Sequence, residues 1–149
     1  MDKTARFREN TRKLEFELAR INRADCCCAV SSAQCFALVE IGRCPGISVK
    51  ELAAILNVDK SSVSRTVEEL VKGAFAERRI SETDRRFVSL YLTQKGLERF
   101  NSIEDSMNSI FENILGFIPE EKQEEVISSL ELYIEACRKA EEGEETDDE

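Results

Sequence analysis

Histidine is absent from this chain of 149 residues. Any metal site would therefore have to consist of thiolates or carboxylates, and the side chain most often used for acid–base catalysis near neutral pH is missing. The sequence also lacks a glycine-rich phosphate-binding loop and a Gly-x-Ser-x-Gly nucleophile motif. These absences argue against an enzyme, and we expect no required cofactor. A cysteine-dependent redox enzyme stays open as the enzymatic alternative, since it would need only a reactive thiol and a thiol substrate.

Long apolar runs are missing as well. No stretch of 18 apolar residues occurs, so the sequence predicts no membrane-spanning helix. The segment from Met1 to Arg8 lacks the apolar core of a secretory signal peptide. We therefore expect a cytoplasmic protein whose six cysteines are reduced thiols rather than disulfides.

The net charge of −9 at first argues against a nucleic-acid partner. The acidic residues are, however, concentrated at one end. Residues 141–149 contain seven acids and no base, and the rest of the chain has 23 acidic against 21 basic residues. We predict that this like-charged tail is disordered and that residues 1–140 form a single domain, so the net charge says little about any one face.

The centre of the chain predicts two short helices joined by a tight turn. Ser48 and Glu51 have the spacing of a capping box, which starts a helix that ends at about Leu56. A compact turn over 57–59 leads to a second helix, Lys60–Lys72, which Gly73 closes. The expected core residues of the pair are Leu52, Ala53, Leu56, Val63, Val67, Leu70 and Val71.

Alternating residues over 75–80 and 87–92 then predict a β-hairpin with a charged loop, 81–86. Two helices followed by a basic hairpin predict a mostly α-helical winged helix-turn-helix fold. Its DNA-binding lobe covers about 32–96, and it is flanked by predicted dimerisation helices in 4–23 and 97–140. The apolar stripes of these flanking helices predict a homodimer, because one small winged domain cannot cover them all. Packing within one chain is the alternative.

The second helix of the motif has a slim, polar N-terminal half that suits a major groove. Arginine pairs bidentately with guanine, and hydroxyl groups reach bases or phosphates. A guanidinium at the hairpin tip fits the narrow minor groove, and Asp84 is placed to hold the Arg86 side chain. The predicted DNA-binding residues are Lys60, Ser61, Ser62, Ser64, Arg65 and Thr66 of the helix, and Arg79, Asp84, Arg85 and Arg86 of the hairpin.

Four motifs occur in order: Ser48-x-x-Glu51-Leu52-Ala53, Val63-Ser64-Arg65-x-Val67-x-x-Leu70, Asp84-x-Arg86 and Leu92-Thr93-x-x-Gly96. With these motifs, the run from about Ser32 to Gly96 resembles the multiple-antibiotic-resistance regulator (MarR) family of transcription regulators. The resemblance implies a homodimer on a pseudo-palindromic DNA operator, and we expect a repressor. It also implies that Arg86 enters the minor groove with Asp84 as its support, and that Ser62, Ser64 and Arg65 face the major groove.

Four of the six cysteines lie close together in the sequence, at Cys26, Cys27, Cys28 and Cys35. Soft thiolates at this density suit a thiophilic metalloid or metal ion, such as trivalent arsenic, or reversible oxidation. Residues 27–35 are also similar to regulators associated with arsenic resistance. The alternative is that these cysteines only pack as small apolar residues, as we expect for Cys44 and Cys137.

Two further interpretations remain open at this stage. The resemblance allows a repressor released by a small aromatic ligand, with cysteines that are purely structural. A winged fold that binds only proteins is the second, although the arginines of the recognition helix and hairpin argue against it.

Overall fold

A computed structural model of the chain describes residues 2–24 and 30–145. Within these ranges, the chain forms six helices and one antiparallel hairpin. The elements in chain order are α1 (Lys3–Ala24), α2 (Ser32–Arg43), α3 (Val49–Leu56), α4 (Lys60–Lys72), β1 (Ala76–Ile80), β2 (Val88–Leu92), α5 (Gln94–Gly116) and α6 (Glu120–Glu145). The predicted fold class, a mostly helical chain with a small hairpin wing, is confirmed. Among the helices of these ranges, none has both the length and the apolar character needed to cross a bilayer.

Local capping interactions fix where α3 and α4 begin. The Ser48 hydroxyl accepts the Glu51 N–H at 3.1 Å, and the Glu51 carboxylate accepts the Ser48 N–H at 3.4 Å, which confirms the predicted capping box. Asn57 then takes the left-handed conformation, with φ of 51°, and ends α3. Asp59, two residues later, caps the start of α4. The tight turn therefore results from a residue that ends one helix and a residue that begins the next, with only Val58 between them.

The core lies where α2, α3, α4 and the hairpin meet. Its largest fully buried side chains are Leu38, Ile41, Leu52, Val67, Leu70 and Leu90. Leu56 and Val71, which we expected in the core, are only half-buried and pack against its margin. Both stand in the last turn of their helices, where the flanking chain covers them less completely.

The hairpin pairs Ala76 with Leu92 and Ile80 with Val88 at its two ends. Both strands begin one residue later than predicted. The Phe75 N–H donates to the Leu70 carbonyl and the Phe87 N–H to the Asp84 carbonyl, so each phenylalanine closes a turn before its strand starts. An isolated bridge from Ile47 to Leu90 fastens the hairpin to the segment before α3.

The contacts divide the chain into two compact units, Met1–Met107 and Asn108–Glu149. The single domain expected from the sequence stays a prediction. The first unit contains α1 to α4, the hairpin and the start of α5. In the second, the Gln123 amide donates to the carbonyls of Leu115 and Ile118, both at 3.1 Å, and so satisfies the end of α5.

Helix α6 continues to Glu145, and residues 146–149 lie outside the described ranges. The disorder expected for residues 141–149 stays a prediction. The segment before the tail consists of strong helix formers and includes a Lys139–Glu135 ion pair at 2.6 Å. Extending an existing helix into Glu141 and Glu142 needs no new nucleation, which offsets the repulsion between their charges.

Candidate nucleic-acid interface

The first turn of α4 is held by Asp59. Its carboxylate accepts the Ser62 N–H at 2.9 Å and the Ser62 hydroxyl at 2.7 Å. These hydrogen bonds, the one from the hydroxyl first, lower the pKa of Asp59, so the cap stays ionised at neutral pH. Because the Ser62 hydroxyl hydrogen is used within the protein, its oxygen is left as an acceptor toward a ligand.

The six predicted residues of α4 do not all face solvent. Lys60, Ser61, Ser62 and Arg65 are exposed, whereas Ser64 and Thr66 are half-buried. The Thr66 hydroxyl donates to the Ser62 carbonyl at 3.1 Å and is turned back onto the helix. The helical period places Ser61 and Arg65 on the side of α4 opposite the buried Val63 and Val67. Ser61 and Arg65 are therefore the side chains best placed for a groove.

Sequence reasoning missed the acidic residues of the same helix. Glu68 continues the outward face of Ser61 and Arg65, and its carboxylate pairs with Lys72 at 3.5 Å. Glu69 instead accepts a hydrogen bond from the Gln34 amide of α2 at 2.7 Å. The helical period would have placed Glu68 on the outward face, because it lies three residues after Arg65.

At the hairpin loop, Asp84 and Arg86 form a two-point pair. Arg86 Nε donates to Asp84 Oδ1 at 3.0 Å and Nη2 donates to Oδ2 at 2.8 Å, while the Arg86 N–H also donates to Oδ1 at 3.0 Å. The arginine hydrogen bonds lower the pKa of Asp84 and raise that of Arg86. The Arg86 side chain is nevertheless 87% exposed, so its remaining donors point to solvent.

The other two predicted arginines of the hairpin differ in their surroundings. Arg79 donates to Glu77 Oε1 from Nε at 3.0 Å and from Nη2 at 2.6 Å, and its guanidinium stacks 3.9 Å above the Tyr91 ring. Arg85 is exposed and forms no ion pair within the described part of the chain. Of the two, Arg85 is therefore the one whose charge is not already paired.

Of the predicted sensing cysteines, Cys26, Cys27 and Cys28 lie outside the described residues. Cys35 is half-buried at the margin of the core. Within 2–24 and 30–145, no group of three or more cysteine, aspartate or glutamate side chains is arranged to hold a metal ion. Cys44 and Cys137 were expected to pack inside, but both are exposed. Cys44 ends α2 just before Pro45, and Cys137 stands on a largely exposed helix.

A cavity of about 490 Å³ opens beside the first turns of α4. Its lining is mainly apolar, with Ser62 and Thr66 as polar groups on the α4 side. The lining residues come from α2, the end of α3, the α3–α4 turn and α4, and they are Ala33, Phe36, Leu56, Val58, Ser62, Val63 and Thr66.

The segment that contains α2, α3, α4 and the start of the hairpin is similar to known proteins. The MarR family sequence model matches residues 30–86. The HTH-type transcriptional regulator BilQ of Clostridium symbiosum is 31% identical over 102 residues, which are 68% of this chain and 71% of BilQ. The chain belongs to the MarR family. This MarR-family chain is therefore a DNA-binding transcriptional regulator and not an enzyme, as the sequence predicted.

Solved structures of other regulators share the fold. FabT of Streptococcus pneumoniae, solved in complex with DNA, matches with a TM-score of 0.79 at 22% identity, over 91% of this chain and 99% of FabT. PcaV of Streptomyces coelicolor, solved with its natural ligand, matches with a TM-score of 0.76 at 16% identity, over 92% and 97% of the two chains. At these identities, the likeness of the MarR-family regulator to both proteins shows the fold alone.

Proposed function

We propose that this regulator is a sequence-specific repressor that binds a pseudo-palindromic operator as a homodimer. The N-terminal half of α4 enters the major groove of each half-site, and the hairpin loop reaches the adjacent minor groove. The observation that carries the proposal is the Asp84–Arg86 pair. It holds a largely exposed guanidinium in one direction on the hairpin, where an unrestrained arginine would lose more side-chain entropy on binding.

In the major groove, the proposed base contacts come from Ser61 and Arg65. Both lie on the outward side of α4, and arginine is the residue best suited to bidentate contact with guanine. Lys60 and the acceptor oxygen of Ser62 stand at the helix start, where phosphate oxygens and base donors are within reach. Ser64 and Thr66 are half-buried, so we propose that they make no direct contact with bases and serve as small side chains that keep α4 slim.

The homodimer is supported by apolar side chains that the single chain leaves uncovered. On α1, Phe7, Leu14 and Leu18 are between 37% and 57% exposed. On α6, Val126, Ile127, Leu130 and Ile134 follow one helical stripe and are between 36% and 50% exposed. Such stripes on a water-facing helix favour association with a second copy. A dimer also supplies two copies of α4, one for each half-site of a pseudo-palindrome.

We further propose that Cys26, Cys27, Cys28 and Cys35 sense a thiophilic metalloid or an oxidant. Cys35 directly follows Gln34, whose amide bonds to Glu69 of α4 at 2.7 Å. A bound ligand or a disulfide that displaced the start of α2 would therefore disturb this hydrogen bond to α4, the helix proposed to enter the major groove. If the two α4 helices of the dimer changed their spacing as a result, they would no longer match the two half-sites, and operator binding would weaken.

The alternative effector is a small aromatic molecule. It is favoured by the apolar cavity of about 490 Å³ against α4, which has the size of a small-ligand pocket. The structural neighbour PcaV was solved with its natural ligand. In this case the cysteines have only a packing role, and thiol reagents leave operator binding unchanged.

The test begins with in vitro selection of duplexes from a random-sequence pool by the reduced protein. Binding of the selected duplex is then measured by fluorescence anisotropy at fixed salt, without and with arsenite or a mild peroxide. We expect tight binding that one of these treatments releases. A variant with serine at Cys26, Cys27, Cys28 and Cys35 keeps the duplex bound, whereas the matched Cys44→Ser, Cys137→Ser variant is released like the wild type. Release of both variants alike contradicts the cysteine sensor, and failure to select any duplex contradicts the DNA interface.

A further inference from the structure

Two large apolar side chains flank the hairpin loop and have no place in the charged interface described above. Phe87 is 66% exposed and Ile80 is 61% exposed, although both adjoin a loop that is otherwise polar. The Ser81 N–H donates to the Phe87 carbonyl at 3.0 Å and closes the hairpin at this level. Phe87 also directly follows Arg86 in the chain. The apolar pair and the guanidinium therefore occupy the same end of the hairpin.

The register places the two side chains on opposite faces of the hairpin. Ile80 pairs with Val88, on the face that continues to the buried Leu90. Phe87 lies one residue before Val88, so alternation puts it on the other face, with Ser89 and Tyr91. An exposed apolar group thus stands on each side of the loop that carries Arg85 and Arg86.

From this arrangement we propose that Phe87 and Ile80 contact the deoxyribose surfaces that form the two walls of the minor groove, while Arg86 reaches its floor. The inference rests on the proposed DNA interface and adds an apolar component to it. The C–H groups of deoxyribose make the sugars less polar than the phosphates beside them, and minor-groove proteins frequently place apolar side chains in this groove, where they wedge between base steps. The positive charge of Arg85 and Arg86 brings the loop to the groove, and the apolar pair is then withdrawn from water.

Apolar and ionic contacts differ in their response to salt, and this difference gives a sharp test. A cationic contact releases counterions, so its loss lowers the slope of log affinity against log salt concentration. Loss of a sugar contact weakens binding at every salt concentration and leaves the slope unchanged. The variants Phe87→Ala, Ile80→Ala and Arg86→Ala are therefore titrated with the selected duplex over a series of salt concentrations.

We expect Phe87→Ala to bind about tenfold more weakly, the factor that corresponds to a loss of about 1.4 kcal/mol of apolar contact, with an unchanged salt slope. Phe87→Leu keeps an apolar side chain and should stay within about threefold of the wild type. Arg86→Ala should bind more weakly and should also show a smaller slope of log affinity against log salt concentration. Phe16 of α1, which is 65% exposed, gives the matched control, and Phe16→Ala should bind like the wild type.

Wild-type affinity of both Phe87→Ala and Ile80→Ala would overturn the inference and leave the DNA interface standing. A salt slope that falls in Phe87→Ala as it does in Arg86→Ala would also overturn it, because the substitution would then act by displacing the arginine. An equal loss in Phe16→Ala would show an effect unrelated to the hairpin and would count against the inference. If the wild type selects no duplex, the proposed function itself fails. Thermal unfolding of each variant checks that the fold is intact.

Discussion

Asp84 and Arg86 are two residues apart in the chain, and their side chains meet in a two-point hydrogen-bonded pair with distances of 3.0 and 2.8 Å. The pair selects one orientation of an exposed guanidinium. The contributions of the two residues to DNA binding can therefore be distinguished by substitution. Removal of the arginine deletes the contact itself, whereas removal of the carboxylate deletes only its orientation.

Arg86→Ala should therefore weaken operator binding about 10- to 100-fold, and Asp84→Ala should weaken it by a smaller factor of about three to ten. Neither substitution should change the melting temperature by more than a degree or two, because surface changes of this kind contribute little to stability. Anisotropy titration at fixed salt gives the affinities. Glu82→Ala, in the same loop, is the control and should not weaken binding. A larger loss in Asp84→Ala than in Arg86→Ala would contradict the supporting role of Asp84.

The capping carboxylate of Asp59 predicts a particular dependence of stability on pH. Its pKa is lowered in the folded protein by hydrogen bonds from Ser62, so its contribution is present above the ordinary carboxyl pKa and is lost as pH falls through the lowered value. Asp59→Asn retains a good capping residue that cannot titrate. The melting temperature of the wild type relative to Asp59→Asn should be constant between about pH 6 and 8 and should fall below about pH 4. A difference that stays constant to pH 3 would contradict an ionised cap.

Two glycines of α5 predict opposite outcomes for the same substitution. A Cβ on Gly96 would lie 1.9 Å from the Phe75 carbonyl oxygen, a backbone atom that cannot move aside alone. Gly96→Ala should therefore lower the free energy of unfolding by about 2 kcal/mol or more. A Cβ on Gly116 meets nothing within 4 Å, and Gly116→Ala should be neutral or stabilising by up to about 1 kcal/mol. Urea denaturation measures both, and similar destabilisation by the two changes would contradict the close approach at Gly96.

Two leucines of α6 distinguish the proposed dimer interface from the rest of the helix. Leu130 belongs to the apolar stripe with Val126 and Ile134, and Leu132 lies on a different side of the helix. Leu130→Glu should convert the protein to a monomer and reduce operator affinity, since a buried unpaired charge is strongly unfavourable. Leu132→Glu should leave the dimer intact. Sedimentation velocity gives the oligomeric state, and a monomeric wild type would contradict the homodimer outright.

Features that depend on near neighbours in sequence were predictable. Two examples are the capping box of Ser48 and Glu51 and the orientation of Arg86 by Asp84. Each involves residues two or three apart, so the residue types and their spacing are enough to predict it. The pairing of Arg79 with Glu77 is of the same kind and was missed, although strand alternation places both side chains on one face.

Other features depend on packing between distant segments and were not predictable. The start of β1 shifts because Phe75 bonds back to Leu70, and the Gln34–Glu69 contact joins residues 35 positions apart. The exposure of Cys44 and Cys137 likewise depends on which helical faces the rest of the fold covers, and no local pattern contains this information.

Whether α4 contacts bases is tested by a comparison of Arg65→Ala with the wild type on the selected duplex and on an unrelated duplex at the same salt concentration. We expect Arg65→Ala to lose about 10-fold or more of its affinity for the selected duplex and only a few-fold for the unrelated one, so that most of the sequence specificity is lost. An equal loss on both duplexes would mean that Arg65 contacts only phosphates. An unchanged affinity for the selected duplex would contradict the placement of α4 in the major groove.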